Sequence, residues 1–162
     1  MSLVRRVFLY PVNGKQLFQY FLGLGTRGAR QFDGDAVCVV SRAFFDNELF
    51  EDYLERITKA GITIPVVPGI LPIHNFEQTM VFSAKCGTSI PQWLARRFAG
   101  LTNDPETRKL VGVSVACEQV MDLVDRGIND FHFYTMNRAD LTFAICHMLG
   151  MGQPETKETL AA

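Results

Sequence analysis

The chain has 162 residues, 48% of them apolar and 20% charged, the balance of a soluble globular protein rather than a disordered or fibrous one. That length suits about one domain and falls short of the roughly 250 residues of a complete eight-stranded β/α barrel. The net charge of −1 gives no electrostatic footprint for nucleic acid or an anionic membrane.

The charge is unevenly spread. Arg5, Arg6, Lys15, Arg27 and Arg30 lie in a first segment, 1–32, that has no acid, so all 17 acidic residues fall after it. The break near Asp33 sets residues 1–38 apart as an unrelated or disordered leader. Within it, Gly23-x-Gly25-x-x-Gly28 matches a dinucleotide fingerprint by letters. Only Ala29–Asp33 separates it from Gly34, too little for the helix whose N-terminus would face a pyrophosphate. A nucleotide-binding module at this loop is therefore the weakest of the functional readings.

Cys38, Cys86, Cys117 and Cys146 lack the close spacing of a zinc or redox motif, and no secretory signal precedes them. That pattern points to reduced, buried thiols and a cytoplasmic protein. No apolar run reaches the roughly 18 residues of a membrane span. His74, His132 and His147 have no ligand-like spacing, so no metal site is expected.

Regular structure is predicted from Ala36 onward. Ala36–Val40 is a continuous apolar run, as in a parallel strand covered on both faces. Asp46 caps a helix whose Phe50, Tyr53, Leu54 and Ile57 follow the i, i+3, i+4, i+7 pattern, and Gly61 ends it. Ile62–Val67 reads as a second strand closed by Pro68-Gly69. Asn75 opens the next helix, and a short one follows Ile90-Pro91. Asp104-Pro105 is an N-cap with proline at the first helical position, launching a long helix to Gly127. Asp130–Thr135 is a third strand, Asn137 caps a last helix ending at Gly150, and 153–162 form a frayed tail. Strands alternating with helices indicate α/β architecture with a parallel sheet, its ligand chemistry at the carboxyl ends of the strands.

Those strand ends carry a resemblance. Pro68-Gly69-Ile70-Leu71-Pro72-Ile73, followed by Asn75-Phe76, resembles the seventh strand-to-helix turn of methylenetetrahydrofolate reductases. His132-Phe133-Tyr134-Thr135-Met136-Asn137-Arg138 resembles their eighth strand, and Glu106–Gly112 is similar to the helix between. The resemblance runs from about Val40 to Met151. It implies a partial (β/α)8 barrel, strands six to eight with their helices, over residues 39–152. It also implies an oxidoreductase acting on a CH–NH bond, in which NAD(P)H reduces FAD and the flavin reduces 5,10-methylenetetrahydrofolate to 5-methyltetrahydrofolate, serving one-carbon metabolism and methionine synthesis.

The resemblance assigns substrate contacts to Gln78, Phe82, Tyr134 and Arg138. Gln78 would hydrogen-bond folate and Phe82 would stack on its aromatic part, the two being i and i+4 on one helix face. Arg138 suits a folate carboxylate, because its planar fork bonds two oxygens. Each also has a structural reading: Gln78 as a capping-box residue, Phe82 as core and Tyr134 as wall. Arg42 departs from the pattern, standing where the family has a Gln that contacts pterin and nicotinamide. No residue here matches the family's acid catalyst or its FAD contacts, so catalytic and cofactor-binding residues stay unassigned. The expectation is a truncated copy that does not turn over alone and self-associates through open sheet edges. The alternative is a non-catalytic half-barrel that binds a partner subunit or complementary half.

Overall fold

A computed structural model describes residues 6–8, 39–136 and 139–150. Four strands, β1 (Arg6–Phe8), β2 (Val39–Ala43), β3 (Val66–Ile70) and β4 (Asp130–Phe133), form one parallel sheet in the order β1-β4-β3-β2. Five helices connect or follow them: α1 (Asn47–Lys59), α2 (Phe76–Cys86), α3 (Gln92–Phe98), α4 (Pro105–Asp125) and α5 (Ala139–Met148). No helix among the described residues is long and apolar enough to cross a membrane.

The helix starts follow from their caps. The Asp46 carboxylate accepts from the Glu48 amide, the Asn75 amide oxygen from Gln78, and the Asp104 carboxylate from Thr107. Each satisfies an N–H that has no partner inside its helix. Glu48 near the start of α1 and Arg56 and Lys59 near its end complement the helix dipole. Asn137, the cap predicted for the last helix, lies outside the described residues.

Two strands sit further along the chain than the apolar runs suggest. β2 starts at Val39 and includes Ser41, Arg42 and Ala43, while Ala36–Cys38 lie outside the described residues. Ser41 is tolerated in the sheet because its hydroxyl accepts from the Gly69 amide at 3.0 Å and donates to the Arg42 carbonyl at 2.9 Å. Ile62 and Ile64, predicted to be strand, are 46% and 44% exposed in the α1–β3 connection. Pro68 and Gly69 lie inside β3 instead of closing it. Val67 pairs with Val40 and Gly69 with Ala43, so Pro68 faces the irregularity at Ser41 and Arg42. A missing N–H costs least where the ladder is already broken.

Consecutive strands β2, β3 and β4 are neighbours, so the sheet winds in one direction without the reversal of a doubly wound fold. One core forms where Ile70, Phe131 and Phe133 meet Phe50 of α1, Val113, Val120 and Leu123 of α4, and Leu141 and Ile145 of α5. A second gathers Ala43, Phe45, Leu71, Ile73 and Tyr134 near the strand ends with Leu94, Phe98 and Val115. Because side chains alternate along β4, Phe131 and Phe133 enter the first core and Tyr134 the second. β1, from the segment read as leader, pairs with β4 from Arg6↔Asp130 to Phe8↔His132. First and last strands have the same relation where a β/α barrel closes.

Candidate functional site

The carboxyl ends of β2, β3 and β4 converge on Tyr134. Its amide donates to the Ile70 carbonyl at 2.8 Å, and its hydroxyl reaches past β3 to donate to the Ser41 carbonyl at 2.8 Å. The ring crosses above Gly69, where a Cβ would meet Tyr134 Cε2 and the Ser41 carbonyl oxygen, each at 2.5 Å. Gly69 is therefore required by close approach. His132 stands edge-on to the Tyr134 ring, with centroids 4.6 Å apart. Burial, with a smaller contribution from Cys86, pushes the Tyr134 phenol up to about 12. It stays protonated near neutral pH and forms part of the wall rather than acting as a base.

α2 stands beside these strand ends. Gln78 and Phe82 lie one turn apart on it. Gln78 is exposed, and its backbone amide is held by the Asn75 cap. Phe82 is half-buried and packs against the cluster that contains Tyr134, so the ring is braced on one side. The structure thus brings Phe82 to the cluster of Tyr134 at one end of the sheet, with Gln78 exposed one helix turn before it. Arg138 lies outside the described residues.

Arg42 is exposed on β2 and donates from Nη1 to the Cys86 carbonyl at 2.7 Å, at the end of α2. Thr88 Oγ1 donates to the Ala43 carbonyl at 2.9 Å. Burial pushes the Cys86 thiol up, and the Arg42 charge opposes this only in part. Cys86 and Thr88 were not singled out from sequence, because they meet β2 only through contacts 44 and 45 residues away in the chain. Donors and rings of this kind are suited to holding a planar polar ligand by hydrogen bonding and stacking.

A separate concavity lies elsewhere. A groove of about 440 Å³ runs between the start of α1, α3 and α4, lined by Asn47, Trp93, Arg97, Glu118, Asp122 and Arg126 among others. Its charges answer one another. Arg97 bonds Glu118 at 2.7 Å and Arg126 bonds Asp122 at 2.9 Å, while Asn47 Nδ2 bonds Asp122 at 2.7 Å. The Arg97–Glu118 and Asn47–Asp122 bonds join α3 and α1 to α4, while Arg126–Asp122 lies within the end of α4. Among the described residues no group of three or more His, Cys, Asp or Glu is placed to hold a metal ion.

A family model described as methylenetetrahydrofolate reductase matches residues 28–150, beginning upstream of the point where the motif resemblance starts. The 5,10-methylenetetrahydrofolate reductase of Pectobacterium carotovorum subsp. carotovorum is 45% identical over 121 residues, covering 75% of this chain and 41% of that protein. The 5,10-methylenetetrahydrofolate reductase of Escherichia coli (strain K12) is 44% identical over 122 residues, with the same coverage. A maize protein named methylenetetrahydrofolate reductase (NADH) 1 is 28% identical over 122 residues, 75% of this chain and 21% of its own length. The chain thus spans about two fifths of the length of the bacterial relatives it matches. By the extent of the family match and the strand-end motifs inside it, the chain belongs to the methylenetetrahydrofolate reductase family.

Proposed function

We propose that this chain supplies the folate-binding wall of a cytoplasmic methylenetetrahydrofolate reductase, with β2, β3 and β4 as strands six, seven and eight of a (β/α)8 barrel. The reaction is reduction of 5,10-methylenetetrahydrofolate to 5-methyltetrahydrofolate at the expense of NAD(P)H. The observation that carries this reading is the pair Gln78 and Phe82, one turn apart beside Tyr134 in a chain of this family. The exposed Gln78 amide can both donate to and accept from a pterin edge. The braced Phe82 ring offers a face to the aromatic part of folate. Tyr134 closes the wall behind them, and Arg138 reads a folate carboxylate.

FAD is the hydride carrier that the family implies. Gly69 offers it no cradle: above it, where a missing side chain would leave room for a planar ring, the space is filled by Tyr134 and the Ser41 carbonyl. This chain's own described residues bind and orient folate.

Calorimetric titration of the purified chain with 5-methyltetrahydrofolate tests the reading. We expect saturable uptake at one site, weakened about tenfold by Gln78→Ala and by Phe82→Ala, the size of one lost hydrogen bond or ring contact. Saturable uptake that neither substitution changes would contradict it.

A further inference from the structure

The helix that carries Gln78 and Phe82 is thinly docked. α2 fully buries only Thr79 and Ser83, both small and polar, whereas α4 buries Val113, Val115, Val120 and Leu123. Ser83 is 1% exposed and its hydroxyl has no hydrogen-bond partner among the described residues, a destabilising feature inside the α2 contact. A helix with so little apolar burial belongs to the part of a fold that opens most readily. Apart from the half-buried Phe82, which packs against the cluster of Tyr134, its position therefore comes from its two ends.

The N-terminal end is fixed by the Asn75 cap and by stacking of Phe76 on Phe98 of α3, with centroids 4.9 Å apart. The C-terminal end is fixed to β2 by two neighbouring bonds. Arg42 Nη1 donates to the Cys86 carbonyl, and Thr88 Oγ1 donates to the Ala43 carbonyl. Between them Gly87 turns the chain at φ +68°, a left-handed conformation that suits glycine, with Arg42 Nη1 3.7 Å from where its Cβ would be. The Cys86 carbonyl is one of those a helix end leaves without a partner, at the negative end of the dipole, where a guanidinium is favoured. The resemblance gives position 42 to a ligand-contacting Gln; in this chain the longer, charged side chain reaches the end of the helix.

We propose that Arg42 and Thr88 form a clasp that fixes the C-terminal end of α2 to β2, making Arg42 a positioning residue for the folate-binding face. With the clasp closed, Gln78 and Phe82 are held between two anchored helix ends beside Tyr134. With it open, α2 swings about its Asn75 end and the two side chains leave the wall. The functional consequence rests on the folate reading of this face. The clasp itself rests on the two bonds.

Hydrogen–deuterium exchange and folate titration, run on the same variants of the full chain, test it. Arg42→Met should speed exchange across Phe76–Cys86 about tenfold, leave α4 unchanged, and weaken 5-methyltetrahydrofolate binding about tenfold. Arg42→Lys, which keeps a charged donor, should recover most of both, and Thr88→Val should act in the same direction as Arg42→Met. Unchanged α2 exchange in both Arg42→Met and Thr88→Val overturns the clasp. So does weaker folate binding in Arg42→Met with α2 exchange unchanged, which would make Arg42 a direct ligand contact. If the unaltered chain takes up no folate, the folate reading fails. The clasp is then judged on exchange alone, upheld by acceleration in α2 and overturned by its absence.

Discussion

At Gly112 the middle of α4 meets the chain just after β3. A Cβ there would sit 2.2 Å from the Ile73 carbonyl oxygen, a backbone atom that cannot swing away. Alanine would ordinarily favour a helix over glycine by about 1 kcal/mol. Here overpacking of about 1–3 kcal/mol or more outweighs that gain. Gly112→Ala should therefore lower the urea midpoint, and an unchanged or raised midpoint would refute the close approach. Tyr134 gives a second test at this scale. Its phenol ionises at about 12 in the folded chain against an ordinary value near 10, so the unfolded chain loses the proton first. The stability it contributes is fully present below about pH 10 and is lost as pH rises through about 12. Tyr134→Phe should cost about 1 kcal/mol near neutral pH for the lost bond to Ser41. It should also flatten the fall in stability between pH 10 and 12, measured by denaturant unfolding across that range.

Elements were legible in the sequence where their signals are local. Asp46, Asn75 and Asp104 each cap the helix they were read to start, because a cap needs only residues two or three further along. Strand limits were less legible, because burial and not the apolar run decides them. Ile62 and Ile64 look like strand but have no face to bury, and Pro68 looks like a stop but sits opposite an irregularity two strands share. The candidate site divides in the same way. Gln78 and Phe82 were assigned through the family resemblance, with spacing adding only that they share a helix face, whereas the links of Cys86 to Arg42 and of Thr88 to Ala43 arise only when α2 folds back on β2. At this scale, Asn75→Ala should remove about 1 kcal/mol of stability, with Asn75→Asp retaining most of it, as thermal unfolding can check. An alanine variant with unaltered stability would mean that the cap does not anchor α2.

For the whole molecule, the parallel order β1-β4-β3-β2 and the one-directional winding of β2, β3 and β4 bring three strand ends together. The α/β class followed from alternation of periods, but the place of β1 beside β4 could not, because three residues carry no periodicity. Two surfaces then compete to be the ligand site: the strand-end wall with Gln78, Phe82 and Tyr134, and the groove lined by Asn47, Trp93 and Glu118. In the groove Arg97 is paired with Glu118 and Arg126 with Asp122, whereas the wall presents an exposed amide and a braced ring. NMR chemical-shift mapping on the isotope-labelled chain, titrated with 5-methyltetrahydrofolate, separates them most directly. The account predicts the largest saturable shifts at Gln78, Phe82 and Tyr134 and none in the groove. Shifts centred on Asn47, Trp93 and Glu118, or no saturable shift anywhere, would contradict it.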